Sequence, residues 1–238
     1  MPDAIRFTDV SKSYRNVKVL SDISFRVNEG ECVGLVGING AGKTTAIKCL
    51  LDFCDIDSGL IRLFDVDHRQ IHARKRLMYL PEKFTPPYYL TGRDFLQYMG
   101  ALNSIDYSEE ETIRILGVLD LDIQALDKPV RDLSKGMGQK LGLAASLLSE
   151  KDMLIFDEPM SGLDPRARAR LKQHLLQIKE QGITLFYSTH LLEDVEVLCD
   201  RVIILHNGRI CFSGTTRECC ERYAARDFES AYLNCVAD

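Results

Sequence analysis

Gly37-Ile38-Asn39-Gly40-Ala41-Gly42-Lys43-Thr44 is the stretch that decides the fold. It fits G-x-x-x-x-G-K-[ST], the pattern of a loop that cradles phosphates. Such a loop supplies partial positive charge without bulky side chains, because successive backbone N–H groups curl into a nest around the anion. Glycines allow the unusual backbone angles and a close approach. The helix that follows turns its positive dipole end to the same anion. Gly37, Asn39, Gly40, Ala41, Gly42, Lys43, Thr44 and Thr45 are the candidate contacts. Lys43 is expected on the β/γ-phosphate oxygens and the Thr44 hydroxyl on Mg²⁺. The flanks agree. Cys32 to Val36 reads as a buried strand entering the loop, and Thr45 to Phe53 as a helix leaving it, with Ile47, Leu50, Leu51 and Cys54 on one face.

Outward from the loop, the N-terminal stretch alternates like a β-meander. Ile5 and Phe7 share a face, followed by Ile23, Phe25 and Val27 and the turn Asn28-Glu29-Gly30. Leu60 to Phe64 and Leu77 to Leu80 read as further strands. Residues from about 84 are different. Thr91 with Asp94 opens a helix as a capping box, with Leu90 and Phe95 as its hydrophobic staple, and Ser108 with Glu111 opens a second helix through Leu119. Helices without strands predict an inserted helical subdomain, about 84–145. Met153 to Phe156 and Ile183 to Tyr187 are continuous apolar runs, as in strands covered on both faces. Between them a helix starts at Pro165 behind Asp164 and ends at Gly182. His206-Asn207-Gly208-Arg209 marks a hairpin. The fold class predicted is α/β: a core with a mostly parallel sheet, an N-terminal antiparallel β-subdomain and the helical insertion, over 1–216, then a helical tail at 217–238.

Composition sets limits. Of 238 residues, 45% are hydrophobic, enough for a full core, and the net charge of −5 argues against a nucleic-acid partner. No apolar run reaches the ~20 residues needed to span a bilayer, and Met1 to Arg6 carries no signal-peptide core. The chain is therefore expected to be soluble and cytosolic. None of its eight cysteines forms a C-x-x-C pair, so reduced thiols in a reducing compartment are expected, with an exposed redox role open for the neighbours Cys219 and Cys220. Asp67, His68 and His72 lie among Arg69, Arg74, Lys75 and Arg76, which reads as a solvated face rather than a metal site.

Phosphoryl transfer to water needs a cradle, a metal, a positioned water and a sensor of the terminal phosphate. Asp157 ends an apolar strand, where a carboxylate can reach Mg²⁺. Glu158 follows directly and is the candidate for polarising the attacking water. His190 ends the next apolar strand and is the candidate hydrogen-bond partner of the γ-phosphate.

With these parts in order, residues 4 to 216 resemble the nucleotide-binding subunits of ABC transporters. Tyr14 lies where that family places an aromatic that stacks on adenine. The phosphate loop follows, then Leu133-Ser134-Lys135-Gly136-Met137, similar to a signature motif usually written Leu-Ser-Gly-Gly-Gln. Asp157-Glu158-Pro159, the D-loop Ser161-Gly162-Leu163-Asp164, and Ser188-Thr189-His190 complete the set. The resemblance implies an ATPase using ATP and Mg²⁺, with Ser134, Gly136 and Asp164 as further nucleotide contacts. It departs from the pattern at Lys135, at Met137 and at Glu82, where the family usually has a Gln that contacts Mg²⁺. It implies two such subunits packed head to tail, ATP driving closure and hydrolysis opening them. It also implies a separate transmembrane permease, with Tyr88, Tyr89 and Leu90 as candidate contacts, a place on the cytoplasmic face of the membrane, and transport in the direction of export. The alternatives are a soluble relative acting on nucleic acid or ribosomes and a weakly hydrolysing regulatory module.

Overall fold

The computed structural model describes residues 2–237. The chain opens with β1 (Asp3–Tyr14), β2 (Val17–Asn28), β3 (Cys32–Val36) and α1 (Lys43–Leu50). Strands β4 (Ser58–Leu63), β5 (Val66–Asp67) and β6 (Leu77–Leu80) follow, then helices α2 (Gly92–Asn103), α3 (Glu109–Val118) and α4 (Lys135–Leu147). Alternation resumes with β7 (Met153–Asp157), α5 (Pro165–Glu180), β8 (Thr184–Thr189), α6 (Leu192–Leu198), β9 (Arg201–His206) and β10 (Arg209–Gly214). Two helices, α7 (Thr216–Arg222) and α8 (Phe228–Ala237), end the chain.

The period-two pattern of the N-terminal stretch has the expected result. β1 pairs antiparallel with β2 and with β4, in a four-stranded sheet ordered β2-β1-β4-β5. Ile5, Phe7, Val10, Ile23, Phe25, Val27, Ile61 and Leu63 are all buried. Phe7 stacks on Phe25 at 4.4 Å, and Phe25 reaches Phe186 of the second sheet at 6.0 Å. That second sheet is ordered β10-β9-β3-β8-β7-β6. Its pairings are parallel except for the β9–β10 hairpin. Every residue of β3, β7 and β8 is buried, as in strands covered on both faces. The carboxyl ends of β3, β6, β7 and β8 therefore lie along one edge, where ligands of α/β sheets bind.

Helices α2, α3 and α4 share an apolar cluster with the underside of β7 and β8, through Phe95, Leu116, Leu119, Leu143, Phe156 and Leu185. The start of α2 is set locally. Thr91 accepts a hydrogen bond from the Asp94 amide at 3.1 Å, and the Asp94 carboxylate accepts one from the Thr91 amide at 3.2 Å. Leu90 packs in the same cluster as Phe95. Replacing Thr91 by Ala removes the cap, at an expected cost of about 1 kcal/mol and about 2–4 °C in melting temperature. An unchanged thermal melt would contradict that role.

Three local expectations are corrected. Helix α1 ends at Leu50 rather than Phe53, because Asp52 takes φ +61° and the Phe53 amide closes the end on the Lys48 carbonyl at 2.9 Å. Ser108 caps α3, but the Glu111 carboxylate turns to Arg114 at 2.8 Å instead of completing the capping box. His68 is not on a solvated face: it is buried, with Nδ1 3.1 Å from the Ile61 carbonyl. No cluster of three metal-ligating side chains occurs among the described residues.

Candidate functional site

The loop between β3 and α1 has the shape its glycines permit. Gly42 caps α1 at φ +112°, and a side chain there would press on the Val19 carbonyl and Leu20. At Gly37 a Cβ would lie 2.3 Å from the Leu205 carbonyl. The loop thus runs hard against the backbone of neighbouring segments, which only glycine allows. The first turn of α1 has no preceding turn for its N–H groups and carries no acidic residue, so its positive end is unopposed.

The loop forms one wall of a cleft of about 380 Å³, lined by Asn39, Gly40, Gly42, Lys43, Thr44 and Thr45 together with Val19, Glu82 and Glu158. The volume falls within the range of small-molecule sites. Most residues predicted for the loop therefore share a single space with two of the predicted carboxylates. A crevice between α2, α3 and α4, beside Leu96, Met99 and Tyr107, offers only about 60 Å³, too little for a nucleotide.

Lys43 is buried. Its Nζ donates to the Gly37 carbonyl at 2.7 Å and to that of Ile38 at 3.3 Å, and lies 3.5 Å from Glu158 Oε1. The last contact is an ion pair without a hydrogen bond, and Glu158 Oε1 has no hydrogen-bond donor. The other carboxylate oxygen of Glu158 accepts from His190 Nδ1 at 2.9 Å. His190 is half-exposed. Glu158 also sits at φ +52°, a costly angle for a non-glycine residue. Its amide is held there by the carbonyl and hydroxyl of Ser188, each at 3.2 Å. The strain aims a buried carboxylate into the cleft.

Asp157 is 1% exposed. Its Oδ1 accepts from the Ser188 hydroxyl, while its Oδ2 has no partner. Burial pushes the Tyr79 phenol well above its ordinary pKa, and the charges of Asp157 and Glu82 push it further, which places these two carboxylates in one electrostatic neighbourhood. Asp157 and Glu158 are thus both buried, each with one oxygen unsatisfied, and Glu158 pairs with the buried Lys43 ammonium. Such groups are rare in folded proteins and mark a place for a ligand or cation.

Other predicted residues lie elsewhere. Tyr14, 44% exposed, ends β1, with Lys12 Nζ 5.2 Å from its ring centre. Its phenol is pushed up to about 12, chiefly by the neighbouring Cys54 thiol, with burial next. Ser134 caps α4, accepting from the Met137 amide at 3.2 Å, and is exposed. It and Gly136 do not line the cleft. A Cβ on Gly136 would lie 3.3 Å from the Gly162 carbonyl, so these two loops adjoin. Asp164 caps α5 through the Ala167 amide at 2.9 Å and pairs with Lys140 at 2.9 Å. That cap and then Lys140 hold its carboxyl down at about 2, and both oxygens are engaged within the chain. Tyr88 and Tyr89 stand exposed at 68% and 73%, stacked edge to face, whereas Leu90 packs into the helical cluster.

Two roles escaped the sequence reading. Ser188, named there only as part of Ser188-Thr189-His190, fixes both Asp157 and Glu158 from its place beside Asp157 in the β7–β8 register. Lys140 joins Asp164 to the Asp120 carbonyl at 3.0 Å, tying α4 to the turn after α3 and the start of α5. Nothing local in the sequence announces that pairing.

Known proteins resemble this chain in sequence and fold. A family model described as ABC transporter matches residues 20–161. An uncharacterized ABC transporter ATP-binding protein of Synechocystis is 39% identical over 221 residues, covering 88% of this chain and 62% of that one. The Nod factor export ATP-binding protein I of Sinorhizobium fredii is 37% identical over 215 residues, covering 89% and 62%. The chain thus spans less than two thirds of the length of either relative. A solved structure described as the ATP binding subunit of an ABC transporter superposes with a TM-score of 0.86 at 32% identity, covering 98% of this chain and 99% of that one.

Proposed function

This chain belongs to the ABC transporter family as an ATPase, and on that premise we propose that it hydrolyses ATP to drive export through a separate membrane permease. One observation carries the reading: the phosphate loop, Lys43, Glu82 and Glu158 share one cleft, beside the half-satisfied Asp157.

The loop amides and Lys43 bind the triphosphate. A triphosphate carries more negative charge than Glu158 and draws the Lys43 ammonium toward itself. Glu158, still oriented by His190 and by the Ser188 contacts to its amide, is then free to take a proton from the attacking water. His190, protonated on both ring nitrogens, donates Nδ1–H to Glu158 and Nε2–H to the γ-phosphate.

The donor set suits Mg²⁺, a hard cation that takes carboxylate and hydroxyl oxygens. Asp157, with its free oxygen, Thr44 and Glu82 would hold it, and it would neutralise charge on the phosphates. Tyr14 receives the adenine. Ser134 and Gly136, which do not line this cleft, complete the site of a second ABC subunit packed head to tail. Asp164 serves the same junction by holding α5 and α4 together, more than by touching nucleotide.

Among the described residues no helix is long and apolar enough to cross a membrane. In this reading the motion is delivered to a membrane permease. Helices in 84–145 move as a subdomain, and exposed Tyr88 and Tyr89 meet the permease on the cytoplasmic membrane surface. Export as the direction rests on the name of the Sinorhizobium relative, a Nod factor export protein.

The test is phosphate release by the purified chain, alone and with its permease in vesicles. Magnesium-dependent turnover that rises when the permease is present is expected. Equal, negligible release in both would leave the weakly hydrolysing regulatory module instead.

A further inference from the structure

We propose that Cys49 and Cys54 are a redox-modification site: a dithiol that a small-molecule disulfide converts to an intramolecular disulfide, loosening the adenine end of the nucleotide cleft. Their sulfurs are 3.5 Å apart, both thiols being free. A disulfide needs about 2.0 Å, so closure asks for about 1.5 Å of movement. The movable side is Cys54. It follows the end of α1, past Asp52 at φ +61° and a Phe53 that is 65% exposed. Cys49 is buried in the last turn of α1 and anchors the pair.

The order of steps follows from access. Cys54, partly exposed, is the first nucleophile. Its thiolate attacks one sulfur of glutathione disulfide, and one glutathione leaves as thiolate. Cys49, whose thiol burial pushes up to about 12, enters second. It attacks the Cys54 sulfur of the mixed disulfide within the contact already formed, and the second glutathione leaves. Two protein thiols are oxidised, one glutathione disulfide is reduced, and the two thiol protons end on the released glutathiones. Disulfides of this transient kind are the ones found in reducing compartments.

The consequence runs through Tyr14, and this half of the inference rests on Tyr14 being the adenine platform. The loop after Cys54 holds the end of β1: the Asp57 carboxylate accepts from the Ser13 amide at 2.6 Å, and the Asp57 amide donates to the Ser11 carbonyl at 2.8 Å. Lys12, which lies over the Tyr14 ring, also pairs with Asp57 at 3.7 Å, next along the same loop. Oxidation removes the Cys54 S–H and draws its sulfur toward Cys49. The loop as far as Asp57 shifts with it, the strand end that carries Tyr14 loses the Ser13–Asp57 restraint, and ATP affinity falls about two- to tenfold, the range of one hydrogen bond's net worth.

The experiment treats the full chain with glutathione disulfide, blocks remaining thiols, maps peptides by mass spectrometry and titrates ATP calorimetrically. Expected are a Cys49–Cys54 link, an ATP Kd raised two- to tenfold, and reversal of both by dithiothreitol. Cys54→Ser and Cys54→Ala, both changes in a surface loop, should each abolish the link and the oxidant's effect. Failure to form this link, or a link with unchanged ATP affinity, overturns the proposal. Tyr14→Ala in reduced protein separates the two ideas: if it leaves ATP affinity unchanged, the platform reading fails, whether or not the disulfide forms.

Discussion

Glu158→Gln should lower phosphate release by about 10²–10⁴-fold, the usual contribution of a positioned general base, while leaving ATP binding intact. The amide keeps the size of the side chain and its place at φ +52° but cannot take a proton. It also removes a buried negative charge beside the triphosphate, so affinity for ATP is expected to hold or rise. Rate and affinity therefore separate, which simple unfolding would not produce. Phosphate-release kinetics and an ATP titration on the same preparation check both halves. Wild-type turnover in the variant would remove Glu158 from the chemistry and leave its unpaired oxygen and strained backbone without a purpose.

Lys43→Ala should do the opposite and strike binding first. A hydrogen bond from a charged group is worth about 1.5–3 kcal/mol, so ATP affinity is expected to fall by about one to two orders of magnitude. The substitution also leaves Glu158 without its buried cation, the Lys43 and Glu158 side chains being 6% and 9% exposed. Breaking a buried pair by removing one partner costs on the order of 3 kcal/mol, discounted here because the contact is long. The melting temperature should fall as well. Calorimetric titration read with a thermal melt distinguishes the two effects. A folded variant that binds ATP as tightly as the parent would count against the phosphate-loop reading.

The parts of the site that were legible in the sequence are those whose chemistry is local. Gly37 to Thr44 announces a backbone shape, and Asp157-Glu158 stands at the end of an apolar run. Thr91 with Asp94, and Asp164 before Pro165, declare helix starts within four residues. What was hidden depends on partners distant in the chain. Glu158 sits at a positive φ because Ser188, thirty positions on, holds its amide. His68 is buried because β4 offers it the Ile61 carbonyl, although its sequence neighbours are charged. Glu111 abandons the capping box for Arg114, a choice between two local partners that the motif cannot decide. The sheet order was equally invisible, since runs of Val, Ile and Leu do not say which strand lies beside which. Yet that order brings the ends of β3, β6, β7 and β8 to one edge, and so makes scattered motifs into a single cleft.

At the centre stands the claim that ATP bridges two copies of this face, with Ser134 and Gly136 of one closing the cleft of the other. The most direct measurement is the mass in solution of the Glu158→Gln protein, by analytical ultracentrifugation, with and without magnesium and ATP. A monomer that becomes a dimer only when the nucleotide is added is the predicted result. Protein that binds ATP yet sediments as a monomer at high concentration would contradict it.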